Sequence, residues 1–251
     1  MDLFQAVILG ISQGIFEWLP VSSQGQVAAL SVALFGIPAD EALGYAIFLH
    51  IGTLLAAALY FRKELSEMLK GENKKLRNFI LIAVLATGIT ALPAYIFLKS
   101  IPLTGFVLLI LIAILLFVTG YLQNVQSKNT NPEMAKKNSV ILGLAQGFSV
   151  LPGISRSGVT TAVLLLEGFT PEKAFRISFL LSVPSVLIGE MAFSVLEPIT
   201  FDFSAIVALL FAFVFGYLSI DVLIKLAHRV NFSVFCYGFG VLYLLIAFLA
   251  L

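Results

Sequence analysis

The chain has 251 residues, of which 60% are hydrophobic and 12% charged, and its mean hydropathy is +1.04. A water-soluble domain of this size keeps its charged share near about a quarter, so half that value excludes a soluble globular protein and turns most of the outer surface to lipid. The net charge of +1 singles out no partner, and the single cysteine, Cys236, excludes an intramolecular disulfide and a Cys-based metal cluster.

In chain order, the first region, about 2–36, is apolar but broken by Gly, Pro and Ser. Its start, MDLFQAVILG, lacks a basic n-region and is not expected to be a cleaved signal peptide. Three apolar stretches follow at 42–61, 78–98 and 102–122, each long enough to cross a hydrocarbon core of ~30 Å. A polar stretch over 123–137 leads to a second broken region, about 138–169. Three more spans are expected at 173–195, 203–224 and 234–251. Each broken region reads as two short helices around a polar turn, a re-entrant pair, since irregular backbone survives at membrane depth only inside protein or beside water. The predicted fold is therefore an all-α integral membrane protein with six full spans and two re-entrant pairs.

The two broken regions resemble each other. ILGISQG (8–14) matches ILGLAQG (141–147), and Gly10/Gly143, Gln13/Gln146, Gly14/Gly147 and Gly25/Gly158 share one offset. A constant offset predicts a duplication, with repeat one over about 1–122, repeat two over about 138–251 and a cytoplasmic linker at 123–137. A re-entrant pair returns the chain to its starting side and three spans do not, so the second repeat is expected to be inverted. Basic residues agree. Arg62, Lys63, Lys70, Lys74, Lys75, Arg77, Lys128, Lys136, Lys137, Lys173, Arg176, Lys225 and Arg229, 13 of the 15, fall in proposed inner loops, whereas Lys99 lies outside them. By the positive-inside rule these loops are cytoplasmic. Both termini are then expected outside, with an external 196–203 connection carrying Glu197 and Asp202. The first pair enters from outside and the second from inside.

Charges within a bilayer are costly and mark function. Glu17 lies in FEWLPVSSQGQ (16–26) and Arg156 in LPGISRSG (151–158). In the second turn Pro152, Gly153 and Gly158 allow tight bends whose N–H groups suit an anion. Ser155 and Ser157 add hydroxyls, and Arg156 offers a planar fork for phosphate oxygens. The first turn adds Ser22 and Ser23 beside Pro20 and Gly25, and pseudo-symmetry would bring the turns face to face. Glu17 is then a candidate base, or a carboxylate for a divalent cation. The plainer reading is that Ser and Gly mark close helix packing and that Glu17 and Arg156 form a structural ion pair. A lone His50 inside a span is more often a packing or hydrogen-bonding residue. His228 is expected in a loop, and Glu167 and Glu190 near span ends, within reach of headgroups. No H-E-x-x-H, P-loop or G-x-S-x-G occurs, nor any metal-ligand spacing.

These residues resemble the undecaprenyl-diphosphate phosphatase family of the bacitracin-resistance type over nearly the whole chain. EWLPVSS (17–23) looks like its first motif and LPGISRSG (151–158) like its second. HIGTLLAAALYFRKEL (50–65) and FLLSVPSVLIG (179–189) look like its flanking spans. The resemblance implies a multi-pass plasma-membrane enzyme that hydrolyses undecaprenyl diphosphate to the monophosphate carrier lipid. It implies a divalent cation, Mg²⁺ or Ca²⁺, and a site reached from the outer face. Partners are then the polyprenyl diphosphate, membrane lipids and a second copy in a homodimer, with no nucleic acid. It gives Glu17, Ser23 and Arg156 as catalytic residues, with Ser23 as nucleophile, Arg156 on phosphate and Glu17 on the metal. Ser22, Gln26, Gly153, Ser155, Ser157, Gly158, Gln13 and Gln146 are expected to bind substrate. Two positions depart from the pattern: Gln13 stands where many members have glutamate, and Gln26 where the family has histidine. Glutamine exchanges no proton, so Glu17 or a metal-bound water must replace that histidine, or the chain binds or translocates the lipid without hydrolysing it. On the enzyme reading, Gln26→His is expected to raise the rate.

Overall fold

The computed structural model describes residues 1–127, 130, 132–196, 203–226 and 230–249. Among them the chain forms α1 (Leu3–Phe16), α2 (Ser23–Phe35), α3 (Ala39–Phe48), α4 (His50–Tyr60), α5 (Arg62–Lys70), α6 (Lys74–Ser100) and α7 (Gly105–Leu122). After these come α8 (Lys136–Gly147), a 3₁₀ turn at Phe148–Val150, α9 (Arg156–Leu166), α10 (Pro171–Leu196), α11 (Phe203–Leu226) and α12 (Phe232–Leu249), with no strand among the described residues. Of the residues expected in loops, Lys128, Glu197, Asp202, His228 and Arg229 lie outside the described ones.

Among the described residues, six segments are long and apolar enough to cross a membrane: 39–60, 74–100, 105–122, 171–195, 203–222 and 232–249. The chain is a multi-pass membrane protein whose flanks carry large exposed apolar side chains such as Leu85, Leu210 and Leu245. Water would penalise that surface, and lipid does not. Within the first span the regular pattern changes at Leu49, between α3 and α4, where Leu49 keeps helical dihedrals and donates to the Tyr45 carbonyl at 3.0 Å while Gly52 donates to the Leu49 carbonyl at 3.1 Å.

The two broken regions form helices too short to cross. α1 has 14 residues, about 21 Å at 1.5 Å per residue; α2, α8 and α9 are shorter still. Capping fixes where each begins. Asp2 and Gln5 exchange backbone and side-chain bonds of 2.8 and 3.0 Å at the head of α1, a capping box. Ser22 caps α2 by accepting from the Gly25 N–H (3.3 Å), and Ser155 caps α9 by accepting from the Gly158 N–H (3.1 Å). The same serine–glycine device thus opens both second helices.

Helix pairing is reciprocal. α1 lies against α11 and α8 against α6. At Gly10 a side chain would strike the Ala208 carbonyl, and at Gly143 the Ala83 carbonyl; Gly14 abuts Ala212 and Gly216, and Gly147 abuts Thr87 and Ala91. Glycine at these points lets the backbones touch, the usual device of helix association in lipid. α7 and α12 also pack together and run antiparallel, with Gly120 against Tyr237 and Gly240 against Phe117 and Ala113. One apolar cluster gathers Trp18, Phe61, Phe79, Phe169 and Phe179; a second gathers Leu9, Phe48, Leu108, Ile112 and Leu116. Trp18 belongs to the first turn, and its indole N–H donates to the Gly216 carbonyl at 2.9 Å. That bond ties the turn to α11.

Candidate active site

The turn between α1 and α2 and the turn before α9 meet. The Gly153 N–H donates to Ser22 Oγ at 3.0 Å, and Ser157 Oγ donates to the Leu19 carbonyl at 3.2 Å. A side chain at Gly25 would lie 3.1 Å from the Gly153 nitrogen, so that glycine is what allows so close an approach. Ser22 holds φ +61°, the only positive φ outside glycine among the described residues. Such a conformation persists only where its surroundings impose it, and it concentrates at functional sites. Gly153, at φ +109°, makes the matching bend in the other turn, where a side chain would also meet Ile112 and Leu115 of α7.

Across this junction Arg156 Nη2 forms an ion pair with Glu17 Oε1, and Arg156 Nη1 donates to the Ser178 carbonyl of α10 at 3.2 Å. Glu17 Oε2 accepts from Ser23 Oγ at 2.6 Å and from Gln13 Nε2 at 2.9 Å. It also lies 3.3 Å from His50 Nε2. The carboxylate is buried at 6% exposure, where losing one partner of an ion pair typically costs about 3–5 kcal/mol. Glu17, Ser22, Ser23, Ser155, Arg156 and Ser157 line one cavity of about 30 Å³, together with Gln24, His50, Ser149 and Ile154. The heads of α2 and α9 both open into it, so two helix N-termini and a guanidinium converge on one point, an arrangement made for an anion. A larger cavity of about 290 Å³ lies between α7, α9, α10 and α12. Its described lining residues, Gln123, Ser127, Thr161 and Phe175 among them, include no titratable group and none from the cluster.

Other residues named from sequence are placed differently. Gln13 stands behind Glu17, out of the cavity, and its Oε1 is buried without a hydrogen-bond donor. Gln26 turns away from the cluster: its Nε2 donates to the Val21 carbonyl at 2.9 Å and its Oε1 accepts from Tyr243 of α12. Its amide is engaged within the protein, and Gln26 is not among the residues that line the cavity, where it was expected to meet substrate. Gln146 likewise bridges Thr87 (2.8 Å) and Ser185 (2.9 Å), tying α8 to α6 and α10 outside the cavity. The Gly153 and Gly158 N–H groups, expected to cradle phosphate, are consumed by Ser22 and Ser155. The head of α9 therefore offers an anion the N–H groups of Arg156 and Ser157 instead. His50 is the residue that sequence reasoning passed over. The rule that singles out charges within a membrane covers it too, but nothing in the sequence places it beside Glu17. Thr119 was also missed: its hydroxyl donates to the Gly153 carbonyl (2.8 Å) and accepts from the Ser155 N–H (3.1 Å), holding the second turn in shape.

The residues present do not make a cage for the expected divalent cation. Among those described, no three His, Cys, Asp or Glu side chains come together. Glu17 gives both oxygens to donors, one of them a guanidinium. A cation on Glu17 would have to displace Arg156 or sit against its charge, and hard divalent ions want several oxygens at once.

The family model described as "Bacitracin resistance protein BacA" matches residues 6–244. The chain is 41% identical to the undecaprenyl-diphosphatase of Methanococcoides burtonii over 99% of this chain and 100% of that protein. It is 42% identical to that of Methanothrix thermoacetophila over 96% of each, and 38% identical to that of Haloarcula marismortui over 94% and 93%. The match runs through both turns and through the spans that hold them together, so the chain belongs to the bacitracin resistance protein BacA family.

Proposed function

We infer that this chain hydrolyses undecaprenyl diphosphate to undecaprenyl monophosphate and inorganic phosphate at the Glu17–Arg156 junction. The observation that carries the reading is the shared carboxylate: Glu17 accepts the Ser23 hydroxyl at 2.6 Å while pairing with Arg156 from the opposite turn. A base, a hydroxyl nucleophile and a phosphate-binding cation thus touch in one buried cluster. The activity is the one named for relatives that match nearly end to end, and it leaves the translocase alternative without support.

The terminal phosphoryl group enters against Arg156, whose fork exchanges Glu17 for two phosphate oxygens. A cavity of about 30 Å³ holds a water or two and no diphosphate, so parting of the Glu17–Arg156 pair is the opening step. Freed of the guanidinium, Glu17 is a stronger base toward Ser23. Ser23 Oγ attacks the terminal phosphorus, and the heads of α2 and α9 take charge that gathers on the equatorial oxygens. Glu17 passes the Ser23 proton on toward the departing monophosphate; once more a carboxylate, it takes a proton from the water that cleaves the phosphoseryl bond and returns it to Ser23 Oγ. The prenyl tail remains among the apolar helix flanks.

The reciprocal glycine contacts and the antiparallel α7–α12 pair support an inverted duplication of about 1–122 and 138–251. With the basic loops inside, both termini lie outside and the first turn is approached from the outer face. The test is phosphate release from undecaprenyl diphosphate by the purified full chain in detergent. Native protein is expected to turn over and Glu17→Gln to be inactive. Native protein that binds the lipid diphosphate yet releases no phosphate overturns the reading.

A further inference from the structure

His50 opens α4, directly after Leu49, and both of its ring nitrogens have a defined neighbour. Nδ1 lies 3.0 Å from the Ile47 carbonyl. A carbonyl only accepts, so Nδ1 carries a hydrogen and Nε2 is the nitrogen that takes up and gives away a proton. Nε2 lies 3.3 Å from Glu17 Oε2, the same oxygen that receives the Ser23 hydroxyl. The side chain is 17% exposed and lines the cavity with Arg156 and Ser155. A ring kept only for packing has no need of that aim. The charged groups facing it are Glu17 and Arg156; Glu190 of α10 acts on Glu17 electrostatically.

We propose that His50 is a catalytic residue of this site: it gives a proton to the departing prenyl monophosphate and recovers it from Glu17. The proposal rests on the phosphatase reading. In the first half-reaction the Ser23 proton passes to Glu17 Oε2 and the Ser23 Oγ–phosphorus bond forms. The bridging phosphorus–oxygen bond breaks, and that oxygen takes the Nε2 proton of His50. Glu17 is then protonated and His50 neutral, 3.3 Å apart, and the proton returns from Oε2 to Nε2. In the second half-reaction water gives one proton to Glu17 and its oxygen to phosphorus. The Ser23 Oγ–phosphorus bond breaks and Ser23 takes that proton back. One water is consumed and both side chains end as they began.

The experiment compares native protein, His50→Gln and His50→Ala as full-length chains in detergent, with undecaprenyl diphosphate as substrate and thermal unfolding as the check on folding. Gln preserves size and a donor at the Nε2 position but has no ionisable proton to deliver. Removing a positioned acid typically costs roughly 10²–10⁴-fold in rate. His50→Gln is therefore expected to lose kcat on that order with KM little changed, and added imidazole to restore turnover to His50→Ala but not to Glu17→Gln. If native protein turns over and His50→Gln matches its kcat, or loses only affinity, the proton role of His50 is overturned while the phosphatase reading stands. If native protein releases no phosphate, both fall.

Discussion

Arg156→Lys separates recognition of phosphate from mere charge. Arg156 uses two nitrogens at once, Nη2 on Glu17 and Nη1 on the Ser178 carbonyl, and the fork that reaches both is the fork that would grip two phosphate oxygens. An ammonium on a flexible stem is a single point of charge and cannot span the two directions. A hydrogen bond to a charged group is worth about 1.5–3 kcal/mol. Losing one of two on the phosphoryl group, at ~1.4 kcal/mol per decade, predicts a fall in kcat/KM of roughly 10- to 150-fold. The positive charge remains to balance Glu17, so the protein should still fold, unlike Arg156→Ala, which strands a buried carboxylate at a cost of about 3–5 kcal/mol. The assay is phosphate release from the C55 diphosphate over a range of substrate concentrations, with melting temperatures measured beside it. Arg156→Lys with native kcat/KM would reduce Arg156 to a structural counter-charge and remove the phosphate fork from the mechanism.

Gln26→His, which the sequence alone favours as a gain of function, is expected to bring no increase in rate and to lower the melting temperature. It breaks the amide bonds to Val21 and Tyr243, and any rise in kcat would show that position 26 does reach the substrate. Topology is open to labelling: a cysteine at position 72 should be shielded from an impermeant reagent added outside, and one at position 200 should react. Equal labelling of both from outside would end the inverted arrangement. Glu167, beyond the end of α9, has its carboxyl pushed up to about 7 by burial, with Asn138 offsetting this only in part. The folded chain therefore holds this proton more tightly than the unfolded chain does, and stability should fall as pH rises from about 4.5 to 7. Melting curves over that range should flatten in Glu167→Gln, and an unchanged slope would exclude Glu167 as their source.

The spans were legible because bilayer thickness forces runs of about 20 apolar residues, and a run of that length has little other use. The meeting of Glu17 with Arg156 was legible for a related reason: two charges at membrane depth need a partner, and the likeness of the two broken regions suggested that their turns face each other. What escaped was set by contacts far apart along the chain. Gln26 looks like a site residue beside Ser23, yet Tyr243, 217 positions away, takes its carbonyl oxygen. His50 meets Glu17, 33 positions earlier in the chain, only through the packing of α4 against α1. Gly153 and Gly158 do permit the expected turn, but the N–H groups credited to phosphate belong to serines that hold the turn together.

The reciprocal packing bears on how such a chain comes together in the first place. α1 leans on α11, α8 on α6 and α7 on α12, so the large apolar contacts of the first half are with the second. While only residues 1–122 have been synthesised, Gly10, Gly14 and Gly120 still await the helices that cover them, and their grooves face lipid or a chaperone. If the inverted duplication holds, the two halves should associate much as separate subunits do. Fragments separated within the 128–131 stretch would then complement each other when co-expressed and fail when expressed singly. Because Glu17 comes from one fragment and Arg156 from the other, recovered turnover would count the reassembled pairs.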